Sequence, residues 1–410
     1  MSPARQTPVT LILAIGLFLT GIAAAAVAPY RAIAAIDGLH FSTVDFALML
    51  SVSSLGGAVA SVALGYLSDK TGDRRVLVLG SALLGALAYG LIYLVPSPVA
   101  YVVALCVIMP FGGTLFSQTF AYARTYLDQR GHQRAEFMIS ALRSLFSLSW
   151  VVAPPLAGWL AARGSVFDVF LVAALALSTC ATLYAALFLL PGTRVGPASP
   201  DYAQTSAAPS PGARGVRAHT LVGLVGVALF RTGLVVHLTT FPLVVTTDFH
   251  GSLTDVGAAA SLAALIEVPF MLLWGYVAGR VPKVAIIIGN GLVFAAYLFA
   301  MGFAHTMLDV LILQGFYALS TAALLSLTIS YLQEAIKGRV GLSTSLIDVM
   351  AVIAGFASAG LFALFTTAQS YIPIFFIAGL LAVGGSGLLT LSSLMQRGAK
   401  RSVAVRPDPS

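Results

Sequence analysis

The sequence predicts an all-α integral membrane protein with twelve transmembrane helices in two pseudo-symmetric six-helix bundles. Three observations predict it. First, 59% of the 410 residues are hydrophobic and 9% are charged, whereas soluble domains hold about 45–50% apolar and about 25% charged residues. Such a chain cannot cover itself in water, and its main solvent must be lipid. Second, runs such as 76–95 and 166–190 are apolar without alternation. Barrel strands alternate, and helices and closed barrels alone satisfy every backbone group in hydrocarbon, so these runs are helices. Third, one long Pro/Gly/Ser/Ala stretch, 191–218, divides the apolar runs six and six and has the composition of a linker.

Windows of about 19 residues place the spans at about 8–35, 42–67, 75–95, 98–125, 135–162, 166–190, 219–247, 254–278, 283–304, 307–334, 340–367 and 370–395. The expected organisation is an N-terminal bundle over 1–190, a cytoplasmic linker over 191–218 and a C-terminal bundle over 219–410. With the N-terminus inside, all but four of the 22 basic residues fall in segments on that side. The positive-inside rule therefore supports both the span count and cytoplasmic termini. The formal charge of +7 is accounted for by orientation, and no nucleic acid is expected as a partner. Cys106 and Cys180 sit inside apolar runs and read as small hydrophobes, so no disulfide or zinc site is expected.

The halves align with one another. Phe18-Leu19-Thr20-Gly21 in the first span corresponds to Phe230-Arg231-Thr232-Gly233 in the seventh, each followed by a proline, Pro29 or Pro242. Gly65-Tyr66 corresponds to Gly275-Tyr276, an offset of 210 (275 − 65). Two parallel six-helix halves describe an architecture whose substrate lies near the midplane between them.

The loop after the second span reads Gly65-Tyr66-Leu67-Ser68-Asp69-Lys70-Thr71-Gly72-Asp73-Arg74-Arg75. It resembles the signature loop of the major facilitator superfamily, G-x-x-x-D-x-x-G-x-R-R/K. Here Gly65 would permit close helix approach, Asp69 would cap a neighbouring helix or pair with arginine, and Gly72 would permit the turn. The resemblance implies that Gly65, Asp69, Gly72, Arg74 and Arg75 form a conformational clamp. The second-half copy is degraded, with Gly279 at the acidic position. The fifth span carries Leu142-Arg143, Ser147-Leu148-Ser149-Trp150 and Pro154-Pro155-Leu156, and is similar to that of the bacterial sugar efflux transporters. Ile266-Glu267-Val268-Pro269 and Tyr331-Leu332-Gln333-Glu334 also resemble that family. The polar Asn positions of its seventh span are not matched, this chain having Arg231, His237, Thr239 and Thr240.

Four charges lie at membrane depth: Arg143, Arg231, Glu267 and Asp348. Each costs about 2.5–3.5 kcal/mol on insertion scales and is a functional candidate by default. At 1.5 Å per residue, Arg231 and Glu267 fall roughly 18 Å from their span ends, and Arg143 and Asp348 roughly 12 Å. The charges sum to zero, which suggests pairing. The adjacency of spans in the resembled fold makes Arg143 with Glu267, and Arg231 with Asp348, the preferred pairs. A static pair that only fixes helix register is the alternative. In the functional reading Glu267 takes and releases a proton as substrate moves, with Asp348 second.

In the resembled fold, spans one, four, seven and ten line the cavity. They offer Thr20, Tyr30, Gln118, Tyr122, Arg231, His237, Thr240, Gln314 and Tyr317 as substrate contacts. Hydroxyls, amides and rings suit a sugar or glycoside. The expected function is export of sugars or sugar-like molecules across the bacterial cytoplasmic membrane by alternating access and proton antiport, by a protein functional as a monomer. Multidrug efflux is the alternative, since Pro154-Pro155-Leu156-Ala157-Gly158 also resembles the antiporter motif of drug exporters. No H-E-x-x-H, G-x-S-x-G or G-x-x-x-x-G-K-[ST] arrangement occurs, so neither an enzyme nor an ATP-driven pump is expected, and no cofactor.

Overall fold

A computed structural model describes residues 7–130, 135–195, 218–335, 340–366 and 370–404, which are helical almost throughout. The helices are α1 (Thr7–Val27), α2 (Thr43–Thr71), α3 (Arg74–Leu94), α4 (Pro98–Asp128), α5 (Ala135–Arg163) and α6 (Asp168–Ala186). After the linker come α7 (Ala218–Leu243), α8 (Leu253–Val277), α9 (Lys283–Met301), α10 (Met307–Ala335), α11 (Val340–Phe365) and α12 (Ile372–Ala404). Among the described residues eleven of these are long and apolar enough to cross a membrane. Val349–Phe365, inside α11, is a shorter apolar helix at the remaining expected position. The expected spans therefore correspond one to one with helices.

The first span is shorter than expected. α1 stops at Val27, and the chain continues through a short turn, Arg31–Ile33, and a π-helical turn, Ala34–Gly38. The fourth is broken into Pro98–Val102, a π segment Val103–Ile108, Met109–Gly112 and Leu115–Asp128. Pro110 has no N–H to donate to the preceding turn, which accounts for a break there.

The chain forms two compact units. One takes in the described parts of Met1–Pro200 and Leu238–Ala264; the other takes in those of Asp201–His237, Leu265–Thr366 and Ser370–Ser410. In the first, α1 packs on α5 and α6, and α3 lies along α6. In the second, α9 lies along α12 and beside α10. The third helix of each half thus rests on the sixth.

The duplication extends to the turns. After the π turn Ala34–Gly38 comes His40 at φ 58°, and after the π turn Val244–Asp248 comes His250 at φ 52°. Among the described residues these are the two non-glycine positions with positive φ, a conformation that costs an L-residue about 1–2 kcal/mol. Two residues on, Ser42 accepts from the Asp45 N–H at 3.1 Å and donates to its carboxylate at 2.7 Å. Ser252 does the same with Asp255, at 3.2 and 2.8 Å. Every element of this pair is offset by 210 (250 − 40), the spacing read from Gly65 and Gly275.

Candidate substrate and coupling site

Helical spacing collects a polar and aromatic cluster inside the second unit. Phe230, Gly233 and His237 share one face of α7, Phe294 and Tyr297 one face of α9, and Gln314, Tyr317 and Thr321 one face of α10. His237 is 3% exposed, and Tyr297 and Gln314 are each 1% exposed. His237 Nε2 lies 2.8 Å from the Tyr297 hydroxyl. The Gln314 amide donates to the same hydroxyl at 3.4 Å. Gln314 can donate to the Tyr297 oxygen while the Tyr297 hydroxyl donates to His237 Nε2. The imidazole stacks on Tyr317, with centroids 4.1 Å apart at 22°, and on Phe375 of α12 at 5.7 Å. Phe294 completes the wall, 6.3 Å from both Tyr297 and Tyr317.

Glu267 of α8 is half-buried beside this cluster. Its carboxyl is a hydrogen-bond partner of the Thr321 hydroxyl and is close enough to Tyr317 for their charges to interact. Trp274 pins the two helices by donating its indole N–H to the Leu319 carbonyl at 3.0 Å. Thr321 also reaches the Tyr317 carbonyl at 2.9 Å. Its one proton can serve the carbonyl or the carboxyl, one at a time. Carboxyl, phenol, imidazole, phenol and amide therefore follow one another across α8, α10, α7, α9 and α10.

The structure brings together three of the residues expected on the cavity, His237, Gln314 and Tyr317. Tyr297, Phe375 and Thr321 were not singled out in the sequence. Thr20 donates to the Gly16 carbonyl of its own helix at 2.8 Å and faces Cys180 of α6 at 3.8 Å. Tyr122 donates to the Thr193 carbonyl at 2.8 Å. Tyr30 is spent on the Pro154 and Leu253 carbonyls at 2.9 and 3.1 Å. All three hydroxyls are engaged by partners within the first unit. Gln118 and Arg231 are half-buried on α4 and α7. The Thr240 hydroxyl is buried with no hydrogen-bond partner among the described residues. Arg143 is exposed on α5 in the first unit, whereas Glu267 and Arg231 belong to the second. The side chain of Asp348 lies outside the described residues.

In the loop between α2 and α3, Gly72 closes α2 at φ 56°, a left-handed position open to glycine. At Gly65 a Cβ would meet nothing among the described residues within 4 Å. Asp73 is an acid of this loop whose contacts are described. It caps α3 by accepting from the Arg75 N–H at 3.1 Å and holds the guanidinium at 2.9 and 2.6 Å. Arg75 also donates to Thr193 Oγ1 at 3.0 Å and to the Leu187 carbonyl at 3.3 Å, and stacks on Phe188. The Arg74 N–H donates to the Val195 carbonyl at 3.0 Å. The loop is thereby fastened to the chain beyond α6. The Arg75 hydrogen bond holds the Asp73 carboxyl below the usual carboxylate range. The side chain of Asp69 lies outside the described residues. Among the described residues no group of His, Cys, Asp and Glu is arranged to hold a metal ion.

Residues 13–218 match the family model of the Major Facilitator Superfamily. The chain belongs to the Major Facilitator Superfamily. This superfamily member is 31% identical over 353 residues to sugar efflux transporter B of Salmonella typhimurium, covering 84% of this chain and 87% of that one. It is 29% identical over 374 residues to sugar efflux transporter A of Dickeya chrysanthemi, covering 90% and 92%. Its fold is shared with the crystal structures of the peptide transporter POT in complex with sulfate, at a TM-score of 0.75, 15% identity and 94% coverage of both chains, and of the nucleoside transporter NupG, at 0.74 and 11% identity, covering 93% and 98%. The protein is a multi-pass membrane transporter of small molecules and not an enzyme.

Proposed function

We propose that the protein exports sugars or sugar-like small molecules across the cytoplasmic membrane by proton antiport and alternating access. Both termini are cytoplasmic, the monomer is the working unit, and 1–190 and 219–410 are the moving halves joined by 191–218. The observation that carries the reading is the series Glu267, Tyr317, His237, Tyr297, Gln314. Tyr317 is the partly accessible ring of that series, and a flat aromatic face suits the apolar face of a sugar ring. His237 stacks on that ring and Phe375 stacks on His237, and Gln314 fixes Tyr297. The names of the relatives support the substrate class.

Glu267 is the proton carrier in this reading. When protonated, its carboxyl donates to the Thr321 hydroxyl, which donates in turn to the Tyr317 carbonyl. When ionised, it accepts from Thr321, and the Tyr317 carbonyl gives up that bond. The carboxyl keeps a hydrogen-bond partner in both states, and its protonation is transmitted to the backbone of the helix that carries the stacking ring. Arg231, Gln118 and Thr240 complete the polar surface offered to substrate, and Arg143 and Asp348 are the other candidates for coupling among the charges at membrane depth.

The test is counterflow in proteoliposomes with labelled saccharides and with lipophilic cations, at two pH values. Trans-stimulated, pH-dependent saccharide exchange is expected. Exchange of lipophilic cations without saccharide exchange would make the protein a multidrug exporter, and flux without trans-stimulation would make it a channel.

A further inference from the structure

The double proline of α5 leaves a gap in that helix. Pro155 has no N–H, so the Val151 carbonyl four residues before it loses its helical donor. In hydrocarbon an unserved carbonyl is costly. The donor comes from another helix: the Ser261 hydroxyl of α8 reaches the Val151 carbonyl at 2.5 Å. About one turn further along α5, Tyr30 is fully buried and sets its hydroxyl between the Pro154 carbonyl and that of Leu253, the first residue of α8. Glycines allow this approach. A Cβ on Gly158 would run into the Tyr30 hydroxyl and the Leu253 carbonyl, and one on Gly257 into that hydroxyl and the Pro154 carbonyl.

The far end of α1, the far end of α5 and the start of α8 all lie on the membrane face opposite the start of α1, because successive spans alternate in direction. The joint is internal to the first unit, which holds Leu238–Ala264 apart from the remainder of α7 and α8. We propose that Tyr30 and Ser261, acting on the carbonyls exposed by the Pro154–Pro155 kink, form a latch that closes the protein on this face, and that its release is the opening step there. The proposal rests on the alternating-access reading above. Each bond in the latch runs from a hydroxyl to a carbonyl, so closing it desolvates no ion, and each is weak enough to break in every cycle.

The test measures the distance between spin labels at Ser165→Cys and Thr254→Cys, both exposed positions, in a Cys106→Ala, Cys180→Ala background in nanodiscs. Wild type should give mostly the short, closed distance. Tyr30→Phe and Ser261→Ala should each raise the long-distance population roughly two- to tenfold, the effect of one net hydrogen bond. Ser261→Thr, which keeps a hydroxyl, should stay closed and so controls for misfolding. Pro155→Ala restores an N–H to the Val151 carbonyl, so in that background Ser261→Ala should add little. An unchanged distribution in either single variant, or an undiminished Ser261→Ala effect beside Pro155→Ala, would overturn the latch. If the distances shift as stated while wild type moves no saccharide, the substrate reading fails and the latch stands.

Discussion

The loop at 65–75 and the interior around Glu267 both hold a carboxylate, and they treat it in opposite ways. Asp73 faces a guanidinium that grips it with two hydrogen bonds while also reaching Thr193 and the Leu187 carbonyl. Its charge is fixed, and fixing it fastens the chain beyond α6 to the start of α3. The Glu267 carboxyl has the Thr321 hydroxyl as a hydrogen-bond partner, with Tyr317 close enough for their charges to interact. A hydroxyl can donate to a carboxylate or accept from a carboxylic acid, so this site tolerates a change of protonation that the loop resists. The difference teaches that the partner decides whether a carboxylate is a fastening or a moving part.

The strongest way to break that comparison is Glu267→Gln. The amide keeps the shape and loses the proton, so uphill, pH-driven saccharide export should fall by roughly a hundredfold, within the range that removing a proton-transfer group costs. Downhill counterflow should survive. Export and counterflow falling together would make Glu267 a structural group.

A smaller effect is expected from His237. His237→Ala removes the stack on Tyr317 and the bond to Tyr297, and should raise the saccharide KM by roughly tenfold with a modest change in maximal rate. His237→Phe, which keeps the stack, should recover most of the affinity. Initial-rate transport over a substrate series separates the two.

At the loop, Asp73→Asn should lower thermal stability in detergent by about 1 kcal/mol at neutral pH, the range for a partly exposed pair. The sign with pH follows from the lowered carboxyl. A group whose pKa is depressed by folding stabilises above its unfolded value and loses that contribution as pH falls. The gap between wild type and Asp73→Asn should therefore close below about pH 4. The smallest effect is at the repeated turns. His40→Gly and His250→Gly should be tolerated within about 1 kcal/mol, because glycine takes positive φ freely, while His40→Val should destabilise by more than either. Thermal melts of the three variants check this.

The fold was legible in the sequence because lipid imposes a simple rule. Runs of about 20 apolar residues become helices, and the basic residues beside them mark one face. The halves were legible from Gly65 and Gly275, and the turns at His40 and His250 repeat the same offset at atomic detail. The site was legible in part. His237 and Gln314 stand out because long polar groups are expensive to bury, so their presence in apolar spans demands a reason. Tyr297 and Phe375 carry no such signal, since an aromatic residue in an apolar run reads as packing. Thr20, Tyr30 and Tyr122 lie on spans expected to line the cavity, yet a backbone carbonyl engages each hydroxyl. Which carbonyl lies within reach depends on how helices cross, and no spacing along one helix encodes that. Ser261 shows the same point from the other side. Its partner is made available by a proline 106 positions earlier (261 − 155), and only the packing of α8 on α5 joins them.

The central claim is that saccharide movement and proton movement meet at Glu267. It is tested most directly in proteoliposomes loaded with a pH-sensitive dye, by imposing a saccharide gradient and no pH gradient. Proton flow opposite to the saccharide in wild type, absent in Glu267→Gln while saccharide still exchanges, is the predicted result. Saccharide exchange that moves no protons in wild type, or moves them equally in Glu267→Gln, would contradict it.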